Sequence, residues 1–435
     1  MTKGQDYDSG SLSLLSTVAL GTGVMIGAGV FALTGQMAEL TGALFPFAFI
    51  SGAIIAAFQA YSYVKVASAY PSAGGIAMIL KKAWGPGVIT AAASLMMALS
   101  MVINESLVAR TFATYALRPF DLQEHPVAVP AIAVGVVALT LVVNLLGNDV
   151  IGRVATISAA VKVFGILLFG LIGLWASGLS FPVAEGGWTN GGSVGAFIGA
   201  SALGILAYKG FTTITNSGDE VVDPEKNVGR AIVLSLVVCV AVYLVVAFAV
   251  GSSLTLDEIV RARDYALAEA ARPALGDVGV TATVVLALVA TASGILASMF
   301  AVSRMITMLT EMELIPHRHL GMPGTVLDHN TVYVAAIAAS LAAFFDLSRI
   351  ASMGVFLYLT MDILVHVGLL RTLREEVKAH AAIVSVAIVL DVVVMLAFAW
   401  LRLQNDPLIV AISAAVAGAL FLGSAVFLRN QSDPA

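Results

Sequence analysis

Residues 201–220 read SALGILAYKGFTTITNSGDE, and this hydrophobic segment contains an interruption near its middle. Gly204 and Gly210 flank Tyr208 and Lys209, and a run rich in hydroxyl and amide side chains follows. Backbone groups that leave a helix at membrane depth must face protein or a wet cavity, because lipid offers them no hydrogen bonds. The segment therefore predicts a transmembrane helix that is broken next to an internal site.

A second glycine-containing segment, GTGVMIGAGVF, occupies residues 21–31. A glycine inside a helix costs about 1 kcal/mol relative to alanine, so four in eleven residues need a reason. One reason is close packing between membrane helices, and the other is local unwinding. The two segments begin successive blocks of five hydrophobic spans. Matching interruptions of this kind indicate an inverted-repeat transporter with its binding site at the breaks.

The composition is that of a membrane protein. The 435 residues are 59% hydrophobic and 11% charged, with a mean hydropathy of +0.97, whereas soluble proteins carry about 25% charged residues. The net charge is −5 and Lys and Arg form no long run, which argues against a nucleic-acid partner. The single cysteine, Cys239, excludes a disulfide within the chain and a cysteine-based metal site.

A membrane span needs about 20 apolar residues, and twelve segments qualify. They predict an all-α integral membrane protein with twelve transmembrane helices. The predicted spans are 15–38, 43–66, 88–117, 127–146, 154–178, 194–216, 229–253, 278–309, 331–346, 351–370, 381–402 and 408–428. The predicted organisation is an N-terminal tail (1–14), a first repeat (15–178), a second repeat (179–370) and a C-terminal part with two more spans (371–435).

The distribution of Lys and Arg predicts the orientation. Predicted loops on the side of the two termini hold more basic residues than the opposite loops, so both termini are expected in the cytoplasm. The expected location is the cytoplasmic membrane, with the lipid bilayer as the surrounding partner. Lys162 and Lys209 belong to neither set of loops, because both fall inside hydrophobic spans.

The interruptions predict a substrate site between the first and sixth spans. Free amides at Gly27, Ala28 and Gly29 would suit a carboxylate, and free carbonyls near Leu206 to Lys209 would suit an ammonium group. An amino acid presents both charges. The predicted substrate-binding residues are Met25, Gly27, Ala28, Gly29, Asn104, Glu105, Leu206, Tyr208, Lys209 and Gly210.

Four motifs resemble the amino acid–polyamine–organocation transporters. They are GVMIGAGVF (23–31), YSYVKVASAYPSAGGIAMILKKAWG (61–85), AYKGFTTITNSGDEVVDPEKNVGRAI (207–232) and SGILASMFAVSRMITMLTEMELIP (293–316). The resemblance runs in order from about residue 12 to residue 320. It implies the LeuT-type fold of five plus five inverted repeats, with helices 1 and 6 broken and two C-terminal helices added. It also implies transport by alternating access.

Lys162 lies in the apolar run SAAVKVFGILLFGLIG (158–173). A charged lysine at the centre of a span costs about 2.5–3.5 kcal/mol or more. Either its stem carries the amine out to the headgroups, or the amine points into the protein. Resemblance to proton-coupled members of the family implies the second arrangement, in which this lysine replaces a sodium ion between helices 1 and 8. Lys162 is thus the predicted proton-coupling residue, with Ser293 on helix 8 as a partner.

Other polar residues inside predicted spans have two interpretations each. Glu105 and Lys209 either form a structural ion pair, which favours neutral substrates, or contact the substrate directly. An unpaired Lys209 would favour an acidic or otherwise anionic substrate. Asp362 and His366 are four residues apart and share a helix face, as a hydrogen-bonded pair or a proton path. The HRH motif at 317–319 lacks the convergence that metal binding needs.

The predicted function is proton-coupled symport of small or neutral amino acids. The alternatives are an amino acid/amine exchanger, a carrier of another small organic or inorganic ion, and, less favoured, a channel. No catalytic constellation indicates an enzyme. The glycine-rich segment lacks the Gly-Lys-Ser/Thr ending of a phosphate loop, so no ATP is expected. Protons are the only expected cofactor, and neither a metal nor an obligatory protein partner is predicted.

Overall fold

A computed structural model describes residues 12–72, 75–146, 148–185, 193–316 and 324–432. Within these ranges the chain is helical apart from its turns and one isolated bridge, which pairs Leu12 with Val221. The side chains of Ala28 and of 148–157 are outside the description. Most of the predicted N-terminal tail and the HRH motif also lie outside it.

The described helices follow the hydrophobic segments closely. They are α1 (Leu14–Thr41), α2 (Phe45–Ala69), α3 (Gly75–Trp84), α4 (Val88–Leu117), α5 (Ala128–Leu145), α6 (Asn148–Ala176), α7 (Val194–Tyr208), α8 (Thr212–Thr215), α9 (Pro224–Ser253), α10 (Leu256–Arg261), α11 (Ala266–Glu311), α12 (Val326–Phe344), α13 (Leu347–Gly368), α14 (Ala381–Asn405) and α15 (Pro407–Ser432). Helix α4 has the same bounds as the third predicted span, 88–117.

Eleven helical stretches in the described ranges are long and apolar enough to cross a membrane, which makes this a multi-pass membrane protein. One of them, Gly29–Ala69, combines the second half of α1 with all of α2. The two helices are separated by a turn at Gly42, whose φ of 60° favours glycine. The sequence predicts twelve spans. The count of eleven arises because the second half of α1 and all of α2 form one continuous stretch across this turn.

The predicted break in the first span is wrong. Helix α1 runs without interruption from Leu14 to Thr41, through all four glycines of the motif. A methyl group at Gly29 would lie 2.9 Å from the side chain of Ala207, and one at Gly27 would lie 3.3 Å from the carbonyl oxygen of Ala290. The glycines therefore serve close helix packing, the first of the two interpretations.

The sixth span changes its helix type at the predicted position, but its backbone is tightened there rather than unwound. Helix α7 ends at Tyr208, a 3-10 turn covers Lys209–Phe211, and the short α8 follows. Gly210 is required here because a β-carbon would lie 2.9 Å from the backbone nitrogen of Met25 on α1. The 3-10 turn (Lys209–Phe211) thus sits directly against the middle of α1.

The charged segment that follows the seventh predicted span is helical. It contains α10, which begins with a capping box between Thr255 and Glu258. Hydrogen bonds from the backbone and hydroxyl of Thr255 lower the pKa of the Glu258 carboxyl. Helix α11 starts in this segment and kinks at Gly276, whose φ is 59°, before its membrane part.

Candidate functional site

A small cavity of about 20 Å³ lies where α1, α4 and the 3-10 turn meet. This volume holds little more than one water molecule, so the cavity must widen before it can admit a solute. Both interrupted and continuous helices contribute to it. Its lining consists of Val24, Met25, Met101, Asn104, Leu206, Ala207, Lys209, Gly210, Thr212, Thr213 and Ser298.

Half of the predicted substrate-binding residues line this cavity. These are Met25, Asn104, Leu206, Lys209 and Gly210. The described lining does not include Gly27, Gly29, Glu105 or Tyr208, and the side chain of Ala28 lies outside the described residues. Because α1 is continuous, the amides of its glycines are inside a helix rather than free. The binding roles of all ten residues remain predictions.

Lys209 brings a cation to the cavity wall. Its Nζ donates to the carbonyl oxygen of Ser100 at 2.8 Å and lies 5.6 Å from the ring centroid of Tyr358. Glu105 accepts a 3.2 Å hydrogen bond from Ser298 at Oε1, while its Oε2 has no partner. No ion pair joins Lys209 to Glu105 or to another carboxylate that the structure describes. The structural ion pair, one of the two interpretations, is therefore not formed in this conformation.

Lys162 points into the protein. It is 2% exposed, and its Nζ donates a 2.9 Å hydrogen bond to the carbonyl oxygen of Gly23 on α1. A carbonyl oxygen has two lone pairs, so it can accept this bond while remaining part of the helix. The alternative in which the amine reaches the headgroups is wrong. Lys162 is a tether between α6 and α1.

Ser293 lies on α11, the eighth predicted span, and was expected to bind the amine of Lys162. Its hydroxyl instead donates to carbonyl oxygens of its own helix, those of Val289 at 2.6 Å and Ala290 at 3.2 Å. Serine in a helix often satisfies itself in this way, one turn back along the chain. A bond between Ser293 and Lys162 is therefore not formed in this conformation.

Tyr243 on α9 is a site residue that the sequence analysis missed. Its hydroxyl lies 2.5 Å from the carbonyl oxygen of Met25 on α1 and 3.2 Å from that of Ala207 on α7. One hydroxyl proton can serve only one of the two acceptors at a time. Tyr243 thus contacts the two cavity helices from outside. It stands in an apolar run, VVCVAVYLVV, where a lone tyrosine gives no signal beyond its hydrophobic character.

Ion pairs occur toward both ends of α1. Arg304 and Glu220 lie 2.7 Å apart on the side of the α1 N-terminus, and Arg263 and Glu39 pair at 2.5 Å on the other side. The Arg263 end also has a larger cavity of about 380 Å³, which is partly lined by Asp264. Burial raises the pKa of the Asp264 carboxyl. An ion pair thus lies beyond the small cavity toward each end of α1.

A multi-pass helical bundle with a small internal cavity beside a change of helix type is typical of membrane transporters. The comparison with protein families identifies which one. The model of the amino acid permease family matches residues 12–426, so this chain belongs to that family, within the amino acid–polyamine–organocation superfamily. It is a transporter and not an enzyme.

Several curated proteins are similar to the chain. The inner membrane transport protein YbaT of Escherichia coli is 33% identical over 393 residues, which cover 89% of each chain. An uncharacterized protein of Methanocaldococcus jannaschii is 35% identical over 268 residues, 62% of this chain and 61% of that one. The vacuolar cationic amino acid transporter 4 of Arabidopsis thaliana is 25% identical over 371 residues, 79% of this chain and 60% of that one.

Proposed function

We propose that the protein imports small or neutral amino acids together with protons across the cytoplasmic membrane, by alternating access. Membership of the amino acid permease family supports an amino acid or a similar solute. A cavity too small for a solute and ion pairs toward both ends of α1 are what an occluded state of such a cycle would have. The basic loops favour cytoplasmic termini.

The proposed architecture has twelve spans. Counting α1 and α2 as separate spans that meet at the Gly42 turn gives the expected number. The first five spans then form one repeat and the next five form the second, with the last two spans outside the repeats. The 3-10 turn lies in the first span of the second repeat, where this family's substrate site is expected.

The hydrogen bond from Lys162 to Gly23 is the observation that carries the proposal of proton coupling. A protonated amine binds a carbonyl oxygen by a charge-assisted hydrogen bond, which is about twice as strong as a neutral one. When the amine loses its proton the bond weakens, and α1 is released from α6. In this way proton binding would be linked to the position of α1, one wall of the cavity.

The substrate carboxylate has two possible partners. The amides of Gly27 to Gly29 could bind it only if α1 opened locally, since they now lie inside a helix. The amine of Lys209 already lines the cavity and has no carboxylate partner in the described residues. This second arrangement also favours a second candidate function, the transport of acidic or otherwise anionic substrates.

Reconstituted vesicles test the proposal. An inward proton gradient should drive accumulation of radiolabelled L-alanine, a protonophore should abolish it, and Lys162→Ala should do the same. L-glutamate tests the anionic alternative in the same assay. Counterflow without any accumulation driven by the proton gradient would indicate an exchanger, and sustained single-channel currents would indicate a channel. Proton-driven uptake that is unchanged in Lys162→Ala would contradict the role of Lys162.

A further inference from the structure

Three fully buried ionisable side chains meet between α13 and α14, outside the cavity lining. Asp362 and His366 are one turn apart on α13, and Asp391 faces them from α14. The imidazole Nε2 lies 3.2 Å from Oδ2 of Asp362 and 3.5 Å from Oδ2 of Asp391. These three residues are called the Asp–His–Asp cluster below.

The outer oxygen of each carboxylate is held by a neighbour on α2. Gln59 donates a 2.6 Å hydrogen bond to Oδ1 of Asp391, and the hydroxyl of Tyr63 donates to Oδ1 of Asp362. The inner oxygens and the imidazole nitrogens have no hydrogen bond of good geometry. Both carboxylates are therefore oriented so that one unsatisfied oxygen of each points toward the imidazole.

The charge of the cluster needs compensation. With both carboxylates ionised and the imidazole neutral, the cluster carries two negative charges in the protein interior, where unpaired charges are very costly. The other titratable groups that face it are Tyr63 on α2 and Tyr358 on α13, and His366 is its only described partner with a positive form. One additional proton on the imidazole and one on a carboxylate would make the cluster neutral.

Aromatic side chains connect the cluster to the 3-10 turn. Tyr358 precedes Asp362 by one turn on α13, and its ring lies 5.6 Å from the amine of Lys209. The ring of Tyr63 lies 5.5 Å from that of Phe211, the last residue of the 3-10 turn. A movement of the 3-10 turn would therefore be transmitted to both tyrosines that neighbour the carboxylates.

We propose that Asp362, His366 and Asp391 form a second proton-holding site, separate from Lys162, whose proton content responds to movement of the 3-10 turn. The proton is taken up from water and returned to water, so no further reactant is needed. The static part of the proposal, a carboxyl group that stays protonated in the resting protein, does not depend on the proposed transport function. The response to the 3-10 turn does depend on it.

Infrared difference titration of the purified full-length protein tests the static part. A protonated carboxyl group has a carbonyl stretch that is distinct from the bands of a carboxylate. Glu105 is a second buried carboxyl group, so all proteins in this experiment carry Glu105→Gln. We expect the band to persist at neutral pH in this background, where exposed carboxyl groups are ionised, and to disappear when Asp362→Asn or Asp391→Asn is added. Asp257→Asn, the same change at an exposed position, is the matched control and should leave the band in place.

Two further variants keep the result unambiguous. Tyr63→Phe removes the donor to Asp362 and should shift the band without changing the charge, even if an Asp→Asn variant does not fold. Lys162→Ala should retain the band, which separates this site from the proposed coupling residue. A missing band at neutral pH, or a band that survives both Asp→Asn changes, would overturn the proposal. So would a band that appears only after chelation, because a bound metal would then supply the positive charge.

The response to the 3-10 turn is measured with a pH-indicator dye in weakly buffered solution. Adding L-alanine to Lys162→Ala should change the bound protons of the protein, since the cluster is intact. The same addition to the double variant Lys162→Ala, Asp391→Asn should produce a smaller change or none. Equal proton changes in the two proteins would overturn the coupling between cluster and turn while leaving the infrared result untouched.

Discussion

Helix α1 and the α7–α8 segment lie side by side at one small cavity, but their backbones differ. The first is a continuous helix of 28 residues, whereas the second changes to a 3-10 turn at Lys209. Each is associated with one buried amine. The amine that binds α1 comes from α6, and it reaches the carbonyl oxygen of Gly23 at 2.9 Å. The amine of the 3-10 turn is its own, and it binds α4.

This difference separates two uses of a buried lysine. Lys162 is absent from the cavity lining and holds a helix from outside, so its charge can alter the position of that helix. Lys209 lines the cavity, so its charge acts on whatever enters. Equal burial, at 2% and 5% exposure, thus corresponds to two different roles. In the proposed function, the first lysine acts on the coupled proton and the second acts on the substrate.

The largest effect is expected for the tether. Arginine at position 162 keeps a positive charge under all working conditions, whereas alanine removes the charge altogether. Both Lys162→Arg and Lys162→Ala should lose proton-driven uptake, because neither can bind and release a proton. In the unchanged protein, each unit of pH difference should raise the accumulation roughly tenfold per coupled proton, and both variants should lose this dependence. The measurement is the steady-state accumulation of L-alanine in vesicles at several imposed gradients.

The two variants should differ in counterflow, which needs movement but no gradient. Alanine leaves α1 free, so exchange should continue, whereas a permanent charge near Gly23 should slow it. Full gradient-driven uptake by Lys162→Arg would show that the charge is structural and that the proton is carried elsewhere.

A smaller effect is expected at the cavity wall. Lys209→Met keeps the length of the side chain but removes the amine. A hydrogen bond to a charged group contributes about 1.5–3 kcal/mol, so affinity for L-alanine should fall about tenfold or more if its carboxylate binds there. The measurement is competition binding to the purified protein. L-alaninamide, which has no carboxylate, is the control ligand and should lose little.

One outcome of this experiment would contradict a direct contact between Lys209 and the substrate carboxylate. If Lys209→Met weakens L-alanine and L-alaninamide equally, the amine supports the cavity without touching the carboxylate. Proton-driven uptake by this variant should persist at saturating substrate, because the Lys162 tether is unchanged.

Most of the helical bundle could be predicted from the sequence, because each span is a long apolar run with its own clear ends. The break at Gly210 was also predictable, since a lysine and hydroxyl side chains accompany the glycines. The continuity of α1 was not, because glycine permits close packing and unwinding equally well. The partner of Gly29 is Tyr243 on a helix more than 200 residues later, and no local pattern contains that contact.

The packing of α1 gives the third prediction. A β-carbon at Gly29 would collide with the hydroxyl of Tyr243 and lie 2.9 Å from the side chain of Ala207. Overpacking of this kind costs about 1–3 kcal/mol, so Gly29→Ala should lower the unfolding temperature in detergent. In the background of Tyr243→Phe the colliding oxygen is gone, and the same change should cost less. Equal costs in both backgrounds would show that Tyr243 is not the obstacle.

The smallest effect on stability is expected at Gly23. A β-carbon there would have only Ala159 nearby, at 3.9 Å, an ordinary contact. Alanine is the better helix former by about 0.8–1 kcal/mol, so Gly23→Ala should leave the unfolding temperature unchanged or slightly raised. The carbonyl oxygen that binds Lys162 is unaffected. Proton-driven uptake should therefore also be preserved if α1 stays helical throughout the cycle. If α1 must instead unwind at this glycine in another conformation, the same variant will be stable but slow, because alanine resists the opening.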